Sequence, residues 1–330
     1  MFPRGGGTKY EWGNACSSQG VTLSTKKLNR VLEHAWADLT VTVEAGCTIA
    51  ELQRTLAQHG QRLAIDPFLS EQATVGGVLS ANDTGALRLR YGGLRDLVIG
   101  TTIALADGTL AMSGGKVVKN VAGYDLSKLL TGAMGTLGVI TQANFRLHPL
   151  PKNSKDITLN VRNSREAEQT LLKILDSTLT PVAMQVRASR QTVPQLDILF
   201  EGTCEGINAQ MDSLKTMFPS IADALAGTWT RPDADAKISI LPSQLSATLD
   251  AVVGDVVIQA TGIGWIRQSE GLAQLRTLLE ENGGSLVLLK RNGDLDAWGS
   301  AGDAVELMRA VKHQFDPNNI LNPGRFVHGI

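Results

Sequence analysis

The sequence predicts an α+β protein built in two parts, and three observations carry that expectation. Alternating strand patterns and amphipathic helical patterns interleave along the whole chain. Glycine-rich loops flank the first strand–helix unit, at Gly5-Gly6-Gly7 and at Gly76-Gly77. Pro149 and Pro151 then punctuate the chain, and beyond them strands alternate with helices in the order expected of an α+β layer with an antiparallel sheet. A chain of 330 residues suits about two domains with ample core.

The elements follow in order. Leu39-Thr40-Val41-Thr42-Val43-Glu44-Ala45 alternates apolar and polar residues and reads as a strand, turned by Gly46. Thr48 and Glu51 have the spacing of a capping box, with Ile49, Leu52 and Leu56 on one face of the helix they open and Gly60 ending it. Arg62-Leu63-Ala64-Ile65-Asp66 reads as the returning strand, and its exit delivers Pro67 towards the second glycine loop. Further strands are expected over 98–105, 116–121 and 138–147, with a helix over 125–130. After Pro151, strands are expected over 157–161, 184–188, 196–201, 256–260 and 286–290. Helices are expected over 165–175, with Leu171, Leu172 and Leu175 inward, and over 207–217 and 271–281. A last amphipathic helix, 303–315, places Leu307, Met308, Val311 and Phe315 at core spacing.

Composition narrows the function. There are 31 basic and 32 acidic residues, so no basic footprint for nucleic acid is present. Mean hydropathy is −0.01 and no apolar run approaches the roughly 20 residues of a membrane span. Met1-Phe2 leads straight into the glycine loop without a signal-peptide pattern. The three cysteines, Cys16, Cys47 and Cys204, form no C-x-x-C pair, which fits a reduced, cytoplasmic setting and leaves no four-cysteine set for an iron–sulfur cluster. No histidine pair has metal-ligand spacing, and no metal is expected.

The glycine loops read as a cradle for a diphosphate. Glycine lets backbone N–H groups close on a ligand, and runs of such groups make anion-binding concavities. Pro3-Arg4-Gly5-Gly6-Gly7-Thr8-Lys9 would form one side and Ala73-Thr74-Val75-Gly76-Gly77 the other, with a third glycine cluster at 132–138. A dinucleotide fingerprint is excluded, because no apolar helical period follows Gly7. A Walker loop is excluded too, since Gly114-Gly115-Lys116 is followed by Val117 and position 110 is Leu.

These pieces resemble the flavin-binding domain of the vanillyl-alcohol oxidase superfamily. The first loop is similar to that family's P-x-G-G-G-T element, and Asp66-Pro67 with Ala73-Thr74-Val75-Gly76-Gly77 to its second element. Thr84-Gly85-Ala86-Leu87-Arg88-Leu89-Arg90-Tyr91-Gly92, Arg95-Asp96-Leu97-Val98-Ile99-Gly100 and the run 132–141 continue the likeness. Asp316-Pro317 with Asn322-Pro323-Gly324-Arg325 resembles the C-terminal D-P-x-x-x-x-N-P-G element. The wording of Lys119-Asn120-Val121-Ala122-Gly123-Tyr124-Asp125-Leu126 is close to the FAD-binding subunits of glycolate oxidases, also called glycolate dehydrogenases.

The resemblance implies a two-lobed, PCMH-type FAD-binding domain over 1–150, an α+β cap domain over 151–302 laid over the flavin, and a C-terminal helix and tail, 303–330, returning to it. Family members carry a strand and a helix ahead of the first loop. Here the loop begins at residue 3, so the first domain is expected to lack them. It also implies non-covalent FAD held by Arg4, Gly5, Gly6, Gly7, Thr8, Lys9, Pro67, Thr74, Val75, Gly76, Gly77, Thr84 and Gly85. Gly138 and Ile140 would lie near the adenine and Asn322 near the isoalloxazine. Arg88, Arg90 and Arg95 are expected near the flavin.

Catalytic relatives carry a histidine-rich metal motif in the cap, and this chain has no histidine between Pro151 and Gly302. No catalytic residue is assigned. Glycolate oxidation is therefore expected in a sister FAD-binding subunit, with electrons passing to an iron–sulfur subunit and any membrane association coming through partners. Two alternatives stay open. One is a self-contained FAD-dependent 2-hydroxy-acid dehydrogenase with Arg187 or Arg291 as carboxylate clamp. The other is a non-catalytic scaffold with the flavin fold.

Overall fold

The structure is a computed structural model that describes residues 1–16, 19–116, 125–219, 221–223, 229 and 231–330. The chain divides into two compact units. One comprises Met1–Gly85, Tyr91–Leu150 and Ser300–Ile330, and the other Ala86–Arg90 and Pro151–Gly299.

In the first unit an antiparallel sheet runs in the spatial order Val31–Ala35, Thr40–Glu44, Val139–Arg146, Val98–Ala104, Leu110–Gly114. Its strands form because alternate residues find the core: Val41, Val43, Ala143 and Phe145 are buried together. The helix Ile49–Ala57 starts where expected, with Thr48 Oγ1 accepting from the Glu51 N–H at 3.2 Å, and it buries Ile49, Leu52 and Leu56. The returning strand is shorter than expected: only Gln61–Arg62 pairs, with His148–Pro149, and the chain then runs irregularly past Pro67. Phe2–Arg4 pairs in parallel with Thr22–Ser24, so the first glycine loop is entered from a fixed strand. The expected strand 116–121 lies outside the described residues beyond Lys116, as does most of the run 119–126.

The C-terminal helix Val305–Phe315 also differs from expectation. Leu307 is 70% exposed, while Val311 and Phe315 pack on the core and Lys312 is buried. The turn that follows needs a cation beneath it, and Lys312 supplies one.

The second unit holds an eight-stranded antiparallel sheet. Its spatial order is Ile221–Asp223, Asn153–Asn160, Thr192–Gly202, Ala183–Ser189, Asp255–Gln259, Ile263–Arg267, Ala236–Ser239, Ser285–Leu288. One face packs its alternate residues, among them Ile157, Val186, Ile198 and Ile258, against helices Ser164–Leu175, Cys204–Met217, Leu245–Ala251 and Leu272–Glu281. In the first of these the inward residues are Ala167, Thr170, Leu171 and Ile174. Leu172 packs only partly against the core, and Leu175 is 36% exposed because it falls off the apolar stripe. The opposite parity carries a polar row. Register sets Thr158 beside Asp197, Asp197 beside Gln185, and Gln185 beside Gln259. Among the described residues no helix is long and apolar enough to cross a membrane.

Candidate cofactor-binding site

The first unit contains an open cleft walled by the three glycine clusters and the C-terminal segment. The first wall is the loop after Phe2–Arg4. A Cβ on Gly5 would stand 2.1 Å from Thr74 Oγ1, and one on Gly6 would stand 1.8 Å from the Gln72 carbonyl oxygen. Only glycine permits two loops to meet so closely. Gly7 has φ +79°, which turns the chain back on itself. Among the described residues, the N–H groups of Gly5, Gly6, Gly7 and Thr8 donate to no protein acceptor. Four adjacent donors therefore remain for a ligand.

The second wall is the start of the helix Val75–Ala81. Thr74 stands at its N-cap without making a side-chain cap bond. Its Oγ1 is buried and has no hydrogen-bond partner among the described residues. A buried hydroxyl in this condition costs roughly 1–3 kcal/mol unless a ligand satisfies it. Two of the expected backbone donors are already used: Val75 N–H bonds to the Cys47 carbonyl at 2.9 Å, and Gly76 N–H to that of Ala45 at 2.8 Å. Gly77 continues the wall, followed by Ser80 and Ala81.

The third wall comprises Met134, Gly135, Gly138, Val139 and Ile140. Met134 has φ +53° and is held by its N–H bond to the Ser80 carbonyl at 2.8 Å. Asn322, only 2% exposed, donates from Nδ2 to the Met134 carbonyl at 2.7 Å and accepts from the Cys16 thiol at 4.0 Å. Arg325 donates to the carbonyls of Lys9 (2.8 Å), Tyr10 (2.9 Å) and Trp12 (3.3 Å), so the C-terminal segment also reaches the first wall. Burial lowers the pKa of the Arg325 guanidinium below the usual arginine value.

The cleft is cationic. Among the described residues no Asp or Glu lines it, whereas Arg4, Lys9 and Arg325 do. Lys9 is compensated from behind, its ammonium 3.0 Å from the buried carboxylate of Asp83. Arg4 lies exposed over the Tyr10 ring at 5.1 Å, and among the described residues no carboxylate pairs with it. Unbonded N–H groups, a stranded hydroxyl and excess positive charge together suit a diphosphate. The residues present therefore fit FAD, with Gly5–Thr8, Thr74 and Arg4 as candidates for its diphosphate.

Of the residues expected from the sequence, Arg4, Gly5, Gly6, Gly7, Thr8, Lys9, Thr74, Gly76, Gly77, Gly138, Ile140 and Asn322 converge on this cleft. Pro67, Val75, Thr84 and Gly85 do not line it. Val75 is buried in the core, and Gly85 is packed so that a Cβ would stand 2.1 Å from the Asp66 carboxylate. Arg88 and Arg90 lie on a short helix, Arg88–Tyr91, and neither they nor Arg95 line the cleft. Met134 and Gly135, within the third glycine cluster expected from the sequence, line it too, and Tyr10, Thr25, Ser80 and Arg325 line it without having been assigned to it. Arg325 closes the N-P-G-R motif and was the one of these with a readable signal.

Arg187 is not available as a carboxylate clamp. Its Nε and Nη2 donate to the two oxygens of Asp197 at 2.5 and 2.9 Å, and Asp197 also accepts from Thr158 and Gln185. The hydrogen bond to Asp197 holds the guanidinium pKa above its ordinary value, although burial opposes it. Among the described residues no group of His, Cys, Asp and Glu is arranged to hold a metal ion.

Residues 1–113 match the FAD binding domain, and residues 299–326 match the C-terminal domain of FAD linked oxidases. These matches give the chain an FAD-binding domain and a segment of the FAD-linked oxidase C-terminal domain, and they support FAD as its cofactor. It is 35% identical over 185 residues to glycolate oxidase subunit GlcD of Bacillus subtilis, a match covering 56% of this chain and 39% of that protein. It is 29% identical to D-lactate dehydrogenase of Archaeoglobus fulgidus, over 99% of this chain and 86% of the relative. It is 26% identical to glycolate oxidase subunit GlcE of Escherichia coli, over 93% and 87% respectively. The fold is that of an alkyldihydroxyacetonephosphate synthase, with TM-score 0.73 at 19% identity over 98% of this chain and 72% of the other.

Proposed function

We propose that the chain is an FAD-binding subunit of a heteromeric glycolate, or more broadly 2-hydroxy-acid, dehydrogenase. The complex would oxidise glycolate to glyoxylate and pass electrons from a sister FAD-binding subunit and this chain to an iron–sulfur subunit. The observation that carries the reading is the cationic cleft, with four N–H groups and the Thr74 hydroxyl that find no partner among the described residues. Bound FAD supplies the two-electron chemistry. The chain's own residues bind and orient it. Residues 1–150 and 303–330 would form the FAD-binding part and 151–302 the cap, in a cytoplasmic protein that meets a membrane through partners.

Oxidation of substrate in a sister chain is supported by two features of this one. The segment 151–302 has no histidine, and Arg187 is committed to Asp197. A second reading, a self-contained dehydrogenase of a D-2-hydroxy acid, is favoured by the D-lactate dehydrogenase relative, which this chain matches along 86% of its length.

The visible spectrum of the purified chain, before and after glycolate, tests both. Flavin bands near about 370 and 450 nm that glycolate alone leaves unchanged are expected. Bleaching by glycolate or D-lactate would transfer the reaction to this chain, and absence of flavin bands after incubation with FAD would remove the cofactor reading.

A further inference from the structure

The C-terminal segment does more than line the cleft. Three side chains within 312–325, Lys312, Asn322 and Arg325, tie it to both opposing walls, and a fourth, Asp316, shapes it from within. Lys312, buried, donates to the carbonyls of Thr136 (2.8 Å) and Leu321 (3.0 Å) and to the Asp316 carboxylate (2.6 Å). Asp316 in turn accepts from the N–H groups of Ile320 (3.1 Å) and Leu321 (2.8 Å), which shapes the turn leading to Asn322. Asn322 then holds the third wall through Met134. Arg325 holds the first wall through three carbonyls of the 9–12 stretch, and its own carbonyl accepts from Asn14 N–H at 3.0 Å. The segment thus spans the cleft from the Met134–Thr136 side to the glycine loop. A five-donor planar fork suits Arg325 to gather several carbonyls at once, which a lysine ammonium does not reproduce.

We propose that this segment is a strap whose docking and FAD binding reinforce each other, with Arg325 as the positioning residue that fixes the first glycine loop. The proposal rests on the reading that FAD occupies this cleft. Linkage makes the effect reciprocal: if the docked strap raises FAD affinity, FAD must stabilise the docked strap by the same factor, typically about 5- to 150-fold. The strap's role is distinct from that of a phosphate contact. A residue acting only through its charge would be replaced by lysine at small cost, whereas one acting through its fork would not.

The test uses the full chain and FAD itself. Titration followed by flavin fluorescence compares the wild type with Arg325→Lys. The expected result is a loss of about tenfold or more in FAD affinity for the variant, with its salt dependence unchanged because the charge is kept. Equal affinity overturns the strap while leaving the cofactor reading intact. Wild-type chain that takes up no FAD overturns the cofactor reading and the strap with it. Amide exchange of the wild type keeps the question answerable if the variant does not fold. FAD is expected to slow exchange at Ile320 and Leu321, whose N–H groups serve Asp316 and which do not line the cleft. Unchanged exchange there overturns the proposal.

Discussion

Replacing Gly6 by alanine tests the cradle at its tightest point. The new Cβ would lie 1.8 Å from the Gln72 carbonyl oxygen and 2.9 Å from its carbon. The obstacle is backbone, so no side chain can swing aside. To reach even 3.0 Å from the oxygen, the two loops must part by about 1.2 Å. Overpacking of this kind costs about 1–3 kcal/mol of stability, and a backbone obstacle argues for the upper end. The same opening would stretch an N–H···O contact of about 2.9 Å beyond bonding distance. A hydrogen bond to a charged group is worth about 1.5–3 kcal/mol, so each one lost weakens FAD by roughly 10- to 100-fold. FAD titration followed by fluorescence, with thermal unfolding of the same samples, gives both numbers. Gly115→Ala is the control, because a Cβ there meets nothing within 4 Å. A Gly6→Ala chain that binds FAD within twofold of wild type at unchanged Tm would refute the argument that loop contact builds the site.

Three further outcomes are expected. Asp83→Asn removes the charge that the buried Lys9 ammonium faces, so urea unfolding should show a loss of about 3–5 kcal/mol. Burial, reinforced by the nearby Glu51 charge, pushes the Cys47 thiol up to about 11, whereas Cys204 is exposed. A thiol-specific disulfide reagent at pH 8 should therefore modify Cys204 quickly and Cys47 only on unfolding. The pKa of His148 is lowered, first by burial and then by the charges of Arg146 and Arg62. The unfolded chain then binds the extra proton more readily, so stability is present above the ordinary histidine value of about 6.5 and falls as pH drops below it. His148→Gln should flatten that part of the stability profile, measured by urea unfolding between pH 7 and 5.5.

The cradle was legible because its glycines follow a rule that needs no partner: a backbone without Cβ can approach another backbone. The helix at Ile49 was legible because its Thr48 cap and apolar spacing are both local. The helix Val75–Ala81 was hidden for a local reason too. It opens on Gly76 and Gly77, which have poor helix propensity, and it is fixed instead by tertiary bonds from Val75 and Gly76 to Cys47 and Ala45. The exposed strand Leu110–Gly114 was missed because it stands at a sheet edge, with Leu110 67% and Met112 80% exposed where burial would have been expected. The Lys9–Asp83 pair and the Lys312 contact with Thr136 join residues far apart in sequence, and no spacing announces them.

Arg187 shows how far such a reading depends on register. On a strand alone it is equally a clamp for a substrate carboxylate or one half of an internal ion pair. The hairpin decides. Ala183–Ser189 and Thr192–Gly202 are joined at Arg190-Gln191, and the register sets Arg187 opposite Gln195 and Gln185 opposite Asp197. Arg187 and Asp197 thereby become diagonal neighbours on one face, within reach of a bidentate pair. Arg190-Gln191 has none of the glycine or asparagine chemistry that marks a tight hairpin, and the register shifts between Arg187 and Ser189, so the pairing could not be counted from the sequence. That unreadable shift bears directly on function. With its fork filled by Asp197, Arg187 is spent inside the sheet, and a carboxylate clamp would have to come from Arg291, another residue or another chain.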